Sequence, residues 1–291
     1  MFVLVTGASG FVGTALVQRL RAQGTRVRAA FRTAPRSAHA DDVVIGAIDG
    51  AVDWTDALRD IDAVAHLASI AHRAGTESDY QAVIVDGTRA LARQAAGAGV
   101  RKFLFLSSIK AAAETSTRPI APGDEAPDTP YGRAKRAAER ALEQGEAAMS
   151  WVALRPPLVF AANAKANFRA LLRAAASPAP LPLAGLANRR SLIALDSLLE
   201  AVLKALGEGP SGAFHVADEP ALSTADIVRC LRAGMGRRPG LFASPAVAAL
   251  LPSALRDSLE LDSSAFVQAY GWRPRDTCAA LEACGAQWLA Q

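Results

Sequence analysis

The chain has 291 residues, 51% of them hydrophobic and 21% charged, which suits one large α/β unit with an appended lobe and excludes a long disordered chain. Its formal charge of +4 is spread over interleaved bases and acids, so no nucleic-acid footprint is indicated and an anionic small molecule fits better. The first apolar run has no basic leader and no stretch of about 18 apolar residues follows, so neither export nor membrane insertion is expected.

Phe2-Val3-Leu4-Val5, ending at Thr6-Gly7, is a short continuous apolar run, the pattern of a strand buried on both faces of a parallel sheet. Val12, Ala15, Leu16 and Leu20 then recur at helical spacing between Phe11 and Gln23, with Gly24 as the stop. A strand over Val27–Phe31, another near Val43–Ile45, a helix near Asp53–Arg59, a strand over Ala63–Leu67, a helix over Asp79–Ala98 and a strand over Phe103–Leu106 follow. A helix over Tyr131–Glu146 and a strand over Trp151–Leu154 complete this half. Alternation of this kind predicts a doubly wound parallel sheet of the Rossmann type, whose ligands bind beyond the carboxyl ends of the strands.

After Arg155-Pro156-Pro157 the texture changes, and 174–190 is rich in Pro, Ala and Gly. The expected division is a dinucleotide-binding domain over 1–157 and a smaller C-terminal substrate lobe over 158–291, partly interleaved through a strand that returns to the main sheet. Cys230, Cys278 and Cys284 lack Cys-x-x-Cys spacing, so neither a zinc site nor a disulfide framework is predicted, no metal is expected, and a reducing cytoplasmic setting is the simplest. His66 and His72 lack ligand company and read as structural or surface residues.

Between the first strand and first helix, Gly7, Gly10 and Gly13 form Gly-x-x-Gly-x-x-Gly, where a pyrophosphate can approach backbone N–H groups and the helix dipole. A tight turn alone also asks for glycine. At the end of the second strand Phe31-Arg32 stands where an acid would hold ribose hydroxyls. Arg32 could hold a 2′-phosphate, so NADP(H) is favoured over NAD(H). Tyr131 and Lys135 are four apart on one helical face, and a cation beside a phenol is expected to lower its pKa toward a range useful for proton exchange. Ser108 ends a strand and can hydrogen-bond the same substrate oxygen.

Together with Asp62-Ala63-Val64-Ala65-His66-Leu67-Ala68 and Tyr131-Gly132-Arg133-Ala134-Lys135, the glycine turn resembles the extended short-chain dehydrogenase/reductases of the nucleotide-sugar epimerase/dehydratase group over nearly the whole chain. Phe105–Lys110, Lys165–Phe168 and Asn188–Leu192 resemble the bacterial branch that reduces 4-keto nucleotide sugars in surface-polysaccharide synthesis, many of whose members are labelled 4-epimerases. The resemblance implies Ser108, Tyr131 and Lys135 as catalytic residues. It implies Gly7, Gly10, Phe11, Val12, Gly13, Arg32, Ile48, Leu67, Ala68, Ser69, Ser107 and Pro157, with Tyr131 and Lys135, around the dinucleotide. Ser108, Lys165, Asn167 and Arg190 are implied at a nucleotide-sugar substrate, with cations and donors suited to its diphosphate.

The chain departs from that pattern at Ala47, where an acid often meets adenine, at Ile84, where Asn is usual, and at Phe160-Ala161-Ala162-Asn163. The expected reaction is 4-keto reduction with Tyr131 as proton donor. The alternatives are 4-epimerisation by the same groups and a non-catalytic dinucleotide sensor or scaffold. Ala134, Ala137, Ala138, Ala141 and Leu142 form a stripe that is either core or the contact of a homodimer.

Overall fold

The computed structural model describes residues 1–35, 39–70, 75–145, 149–164 and 166–291. His72 and Lys165, and Glu146 at the end of the predicted Tyr131–Glu146 helix, lie outside the described residues. In chain order the elements are β1 (Phe2–Thr6), α1 (Phe11–Ala22), β2 (Arg26–Phe31), β3 (Val43–Val44), α2 (Thr55–Leu58), β4 (Ala63–His66), α3 (Glu77–Tyr80), α4 (Gly87–Gly97) and β5 (Lys102–Leu106). They continue with α5 (Pro130–Glu143), β6 (Ser150–Arg155), β7 (Leu158–Phe160), α6 (Ala166–Ala176), β8 (Leu192–Ala194), α7 (Leu195–Ala205), β9 (Gly212–His215), α8 (Thr224–Gly234), α9 (Pro245–Leu250), α10 (Ser253–Arg256), α11 (Ser264–Tyr270) and α12 (Thr277–Leu289).

Seven strands form one parallel sheet in the order β3-β2-β1-β4-β5-β6-β9, with Val3 opposite Val27 on one side and Ala63 on the other. Because successive side chains point to opposite faces, the continuous apolar runs feed two cores at once. Val3, Val5, Leu104, Val152 and Leu154 join α1 and α7 on one face. Phe2, Leu4, Val64, Phe103 and Phe105 join α2, α4 and α5 on the other. Polarity and chain direction therefore gather Thr6, Phe31, His66, Leu106, Arg155 and His215 at one edge of the sheet.

β9, at residues 212–215, returns to the main sheet beside β6, while β7 and β8 pair separately. A third core of Phe160, Phe168, Leu172, Leu192, Val228, Leu231 and Leu281 fills the C-terminal region, and Phe11 from the glycine turn packs against it. The predicted Asp79–Ala98 helix is a composite: α3, a π-helical stretch over Gln81–Asp86, then α4. Such insertions re-aim side chains and recur at functional sites. Ile84 lies on that stretch, fully buried.

The cysteine expectation is corrected. Cys230 on α8 and Cys278 on α12 are disulfide-bonded across 48 residues, with Cα atoms 5.4 Å apart, and Cys284 is free and buried. The reason is close helix packing, which spacing does not reveal: a Cβ on Gly234 would strike the Glu282 carbonyl oxygen, and one on Gly285 the Leu231 carbonyl oxygen. The small-residue stripe divides, with Ala134, Ala138 and Leu142 buried in the core and Ala137 and Ala141 only partly covered. Among the described residues no helix is long and apolar enough to cross a membrane.

Candidate functional site

The turn from β1 into α1 is built by contact. Gly7 has φ +67°, and a Cβ there would sit 2.7 Å from the Ala68 backbone nitrogen, while one on Gly13 would collide with the Gly7 carbonyl oxygen. Packing alone thus requires both glycines, and neither is by itself a sign of a ligand. The sign is the helix end: Gly10 caps α1 with no side-chain hydrogen bond and the first turn carries no acid. The N–H groups of Phe11, Val12 and Gly13 have no capping side chain, an arrangement that suits a phosphate. Leu67 and Ala68 border the same turn, with Ala68 N donating to Thr6 Oγ1 at 3.3 Å.

Further along the edge, Ile48 touches Gly87 at the start of α4, and Pro157 is buried behind β6. Arg32 is exposed. These residues, with the glycine turn, offer chemistry suited to a dinucleotide: backbone donors for phosphates, apolar side chains for a base, and the exposed cation of Arg32.

α5 delivers the other half of the site. Thr129 caps it by accepting from Gly132 N at 3.1 Å, and Pro130 occupies the first turn, both start signals of a helix. Ala134, Ala138 and Leu142 face the core at four-residue intervals. Gly132 allows the helix to touch the short 3₁₀ turn Ile109–Ala111, since a Cβ there would strike the Lys110 carbonyl oxygen. That contact sets Tyr131 beside Ser108.

The hydroxyls of Ser69 and Ser108 both approach the Tyr131 phenol and favour its ionisation, yet burial outweighs them and pushes the phenol up to about 12. The expectation of a lowered pKa is therefore corrected. Lys135 is fully buried, its Nζ donates to Leu106 O at 2.7 Å and lies 5.9 Å from the Tyr131 ring centre. Burial pushes this ammonium down to about 7, with Glu139 acting in the opposite sense. An ammonium disfavoured by burial is a weak source of field for its neighbour.

Ser69, Ser108, Tyr131 and Lys135 are thus brought together. Tyr80, which the sequence reading missed, meets the Tyr131 ring edge-on with centroids 5.7 Å apart. Ser107 turns its hydroxyl inward, donating to Glu139 at 2.5 Å, so only its backbone can meet a ligand at this edge. His66 is buried between Thr6 at 2.7 Å and Thr88 at 3.2 Å, and burial, helped by the nearby Lys135 charge, holds its pKa down to about 3. It is structural.

On the C-terminal side, Arg190 is half-buried, donates to Asp257 O at 2.8 Å, and has backbone bonds with Leu222. Neighbouring Arg189 is held outside by Glu260 at 2.7 and 2.8 Å. Asn167 is exposed on α6. No hydrogen bond joins Asn167 or Arg190 to the Tyr131 group among the described residues.

Residues 3–217 match the model of the NAD dependent epimerase/dehydratase family. The chain belongs to this family. Among curated proteins this epimerase/dehydratase-family chain is similar to UDP-glucose 4-epimerase of Vibrio cholerae, 31% identical over 94% of this chain and 91% of the relative. Among solved structures the fold matches a UDP-N-acetylglucosamine 4-epimerase from Bacillus cereus at TM-score 0.82, with 20% identity over 99% of both chains. It also matches MoeE5 in complex with UDP-glucose and NAD at TM-score 0.80, with 24% identity over 100% of this chain and 99% of that one. At these identities the structural likeness speaks for the fold.

Proposed function

We propose that the protein is a nicotinamide-dependent enzyme acting at C4 of a nucleotide sugar, with interconversion of C4 epimers as the leading reaction. The observation that carries the reading is the joint placement of Ser108, Tyr131 and Lys135 beyond the carboxyl end of β5, next to a helix N-terminus free of any side-chain cap. Similarity to UDP-glucose 4-epimerase over nearly the full chain moves the weight from 4-keto reduction, expected from sequence motifs, to epimerisation.

In this reading the α1 N-terminus takes the pyrophosphate, Ile48 and Leu67 flank the bases and riboses, and Lys135 reaches a ribose hydroxyl. When bound, the dinucleotide supplies hydride exchange with carbon. The chain itself manages the proton. Tyr131 Oη takes the proton of the C4 hydroxyl as that carbon is oxidised and returns it when the ketone is reduced. Ser108 Oγ donates to the same oxygen, holding it within reach of the phenol. With the phenol raised to about 12 by burial, the protonated form is the resting one, and bound dinucleotide and substrate must favour phenolate before oxidation can start. Arg190, Asn167 and Lys165 are assigned to the diphosphate.

Net 4-keto reduction is the second reading, favoured by the likeness of Phe105–Lys110 and Asn188–Leu192 to reductase-branch segments, and exposed Arg32 favours NADP(H) there. The test is to incubate purified protein with UDP-glucose or UDP-N-acetylglucosamine while following nicotinamide absorbance and product sugar together. Epimerisation yields the C4 epimer with no lasting absorbance change. Stoichiometric loss of NAD(P)H on a 4-keto sugar, without epimer formation, replaces it with the reductase reading.

A further inference from the structure

Behind the Tyr131 pair lies a dry ionic cluster that the proposed reaction does not use. Glu139 follows Lys135 by one helical turn and is fully buried. It accepts from Ser107 Oγ at 2.5 Å and from Arg155 Nε at 2.9 Å and Nη2 at 2.6 Å. Arg155, at the end of β6 and 1% exposed, also reaches Glu125 at 2.6 Å. Its Nη1 stands 3.4 Å from His215 Nε2 on β9, and His215 in turn meets the Ile120 carbonyl oxygen at 3.0 Å. Arg136 lies 3.4 Å from the second Glu139 oxygen.

Three elements are therefore pinned to one carboxylate: the end of β5 through Ser107, α5 itself, and the end of β6 through Arg155. Buried charge is costly, and such a cluster is kept where its geometry or its field is used. Both uses point the same way here. We propose that Glu139 is a positioning residue for the Tyr131–Lys135 pair, locking α5 against the ends of β5 and β6 and supplying the negative charge beneath the Lys135 ammonium. The inference rests on the functional reading above, and adds to it the group that keeps its lysine charged.

Among the described residues, Lys135 meets Tyr131, neutral His66 and Glu139, and Tyr131 also faces Tyr80 and Glu114. Glu139 meets Arg136 and Arg155, with Glu125 and His215 behind the latter. Two carboxylates thus balance two guanidinium groups, so Glu139→Gln leaves a net positive cluster next to an ammonium already weakened by burial. A unit charge one helical turn away is worth roughly a hundredfold in proton affinity at an effective dielectric near that of protein surfaces, and at least tenfold after partial compensation.

The test uses full-length protein carrying lysine enriched in carbon-13 at Cε, which is tractable because the sequence holds five lysines. The Lys135 resonance, assigned by its loss in Lys135→Met, is titrated without cofactor or substrate. Wild type is expected to titrate near neutral pH and Glu139→Gln at least one pH unit lower, with Glu139→Asp in between. In turnover of UDP-glucose, Glu139→Gln is expected to lose kcat at least tenfold with KM within about twofold, and its alkaline limb moves to lower pH. An unmoved Lys135 titration, or an unmoved alkaline limb, overturns the proposal. Should Glu139→Gln fail to fold, Glu139→Gln/Arg155→Gln takes its place; Glu125 and Arg136 then balance, so the expected shift keeps its direction through loss of the Glu139 charge alone and is smaller. Failure of both to fold also overturns it, since the cluster is then architectural only. A wild type that turns over no nucleotide sugar defeats the functional reading while the titration still decides the role of Glu139.

Discussion

Histidines 66 and 215 carry the clearest single-residue consequence. Burial drives His66 down to about 3 and His215 down to about 4, the latter with help from Arg155. Both are neutral in the fold and both take a proton in the unfolded chain below the usual histidine value near 6.5. Their stabilising effect is therefore complete above about pH 6.5 and is lost as pH falls toward 4, by roughly 1.4 kcal/mol per histidine per pH unit once well below 6.5. Thermal unfolding at pH 7, 6 and 5 is expected to show a falling midpoint, and His66→Gln, uncharged throughout, is expected to flatten the slope. A wild-type midpoint that is level from pH 7 to 5 contradicts this. The sequence named Ser108, Tyr131 and Lys135 because serine at a strand end and a four-residue helical interval are local signals. It missed Glu139 and Arg155, whose partners are 16 residues apart in the chain and become legible only when α5 is laid against β6. It also gave the phenol the wrong direction, since spacing reports a cation nearby and says nothing of how dry the pair is.

Elements were legible where one local rule dominated. β1, β4, β5 and β6 are continuous apolar runs because both faces are covered, and α5 announces itself with a Thr cap, a first-turn proline and a four-residue apolar interval. The π-helical stretch between α3 and α4 was not legible, because an extra residue in a helical turn leaves an apolar pattern of nearly unchanged period. The Cys230–Cys278 bond was missed for a related reason, being set by how closely α8 and α12 cross. Close crossing also makes a sharp prediction for α5. Gly132→Ala forces a Cβ into the Lys110 carbonyl oxygen, so the helix start must move away from the 3₁₀ turn that carries Ser108. A loss of about 1–3 kcal/mol in stability is expected from such overpacking, with a disproportionate fall in kcat as Ser108 and Tyr131 separate. Denaturant unfolding and steady-state kinetics check both. Unchanged stability with unchanged kcat would mean the contact is looser than described.

For the molecule as a whole, one sheet edge collects the residues assigned to the proposed chemistry, because the seven strands of the main sheet run the same way and so every carboxyl end opens on the same side. The glycine turn, the Leu67–Ala68–Ser69 segment and the Ser107–Ser108 corner follow three neighbouring ends, those of β1, β4 and β5, and the head of α5 packs against the turn after the last of them. The C-terminal residues close over that edge through Phe11. Ala68 lies against Gly7 and Ser69 beside Tyr131, so the uncapped end of α1 and the phenol share one sheet edge, and the proposed use of that edge has Tyr131 carry the proton. The most direct measurement of that use is proton NMR of a UDP-glucose solution held with NAD and either wild-type protein or Tyr131→Phe. Wild type is expected to generate the anomeric signal of the C4 epimer until equilibrium, while Tyr131→Phe, equally stable, is expected to be slower by about 10²–10⁴. Equal rates in the two proteins would contradict the assignment of Tyr131 as the group that carries the proton.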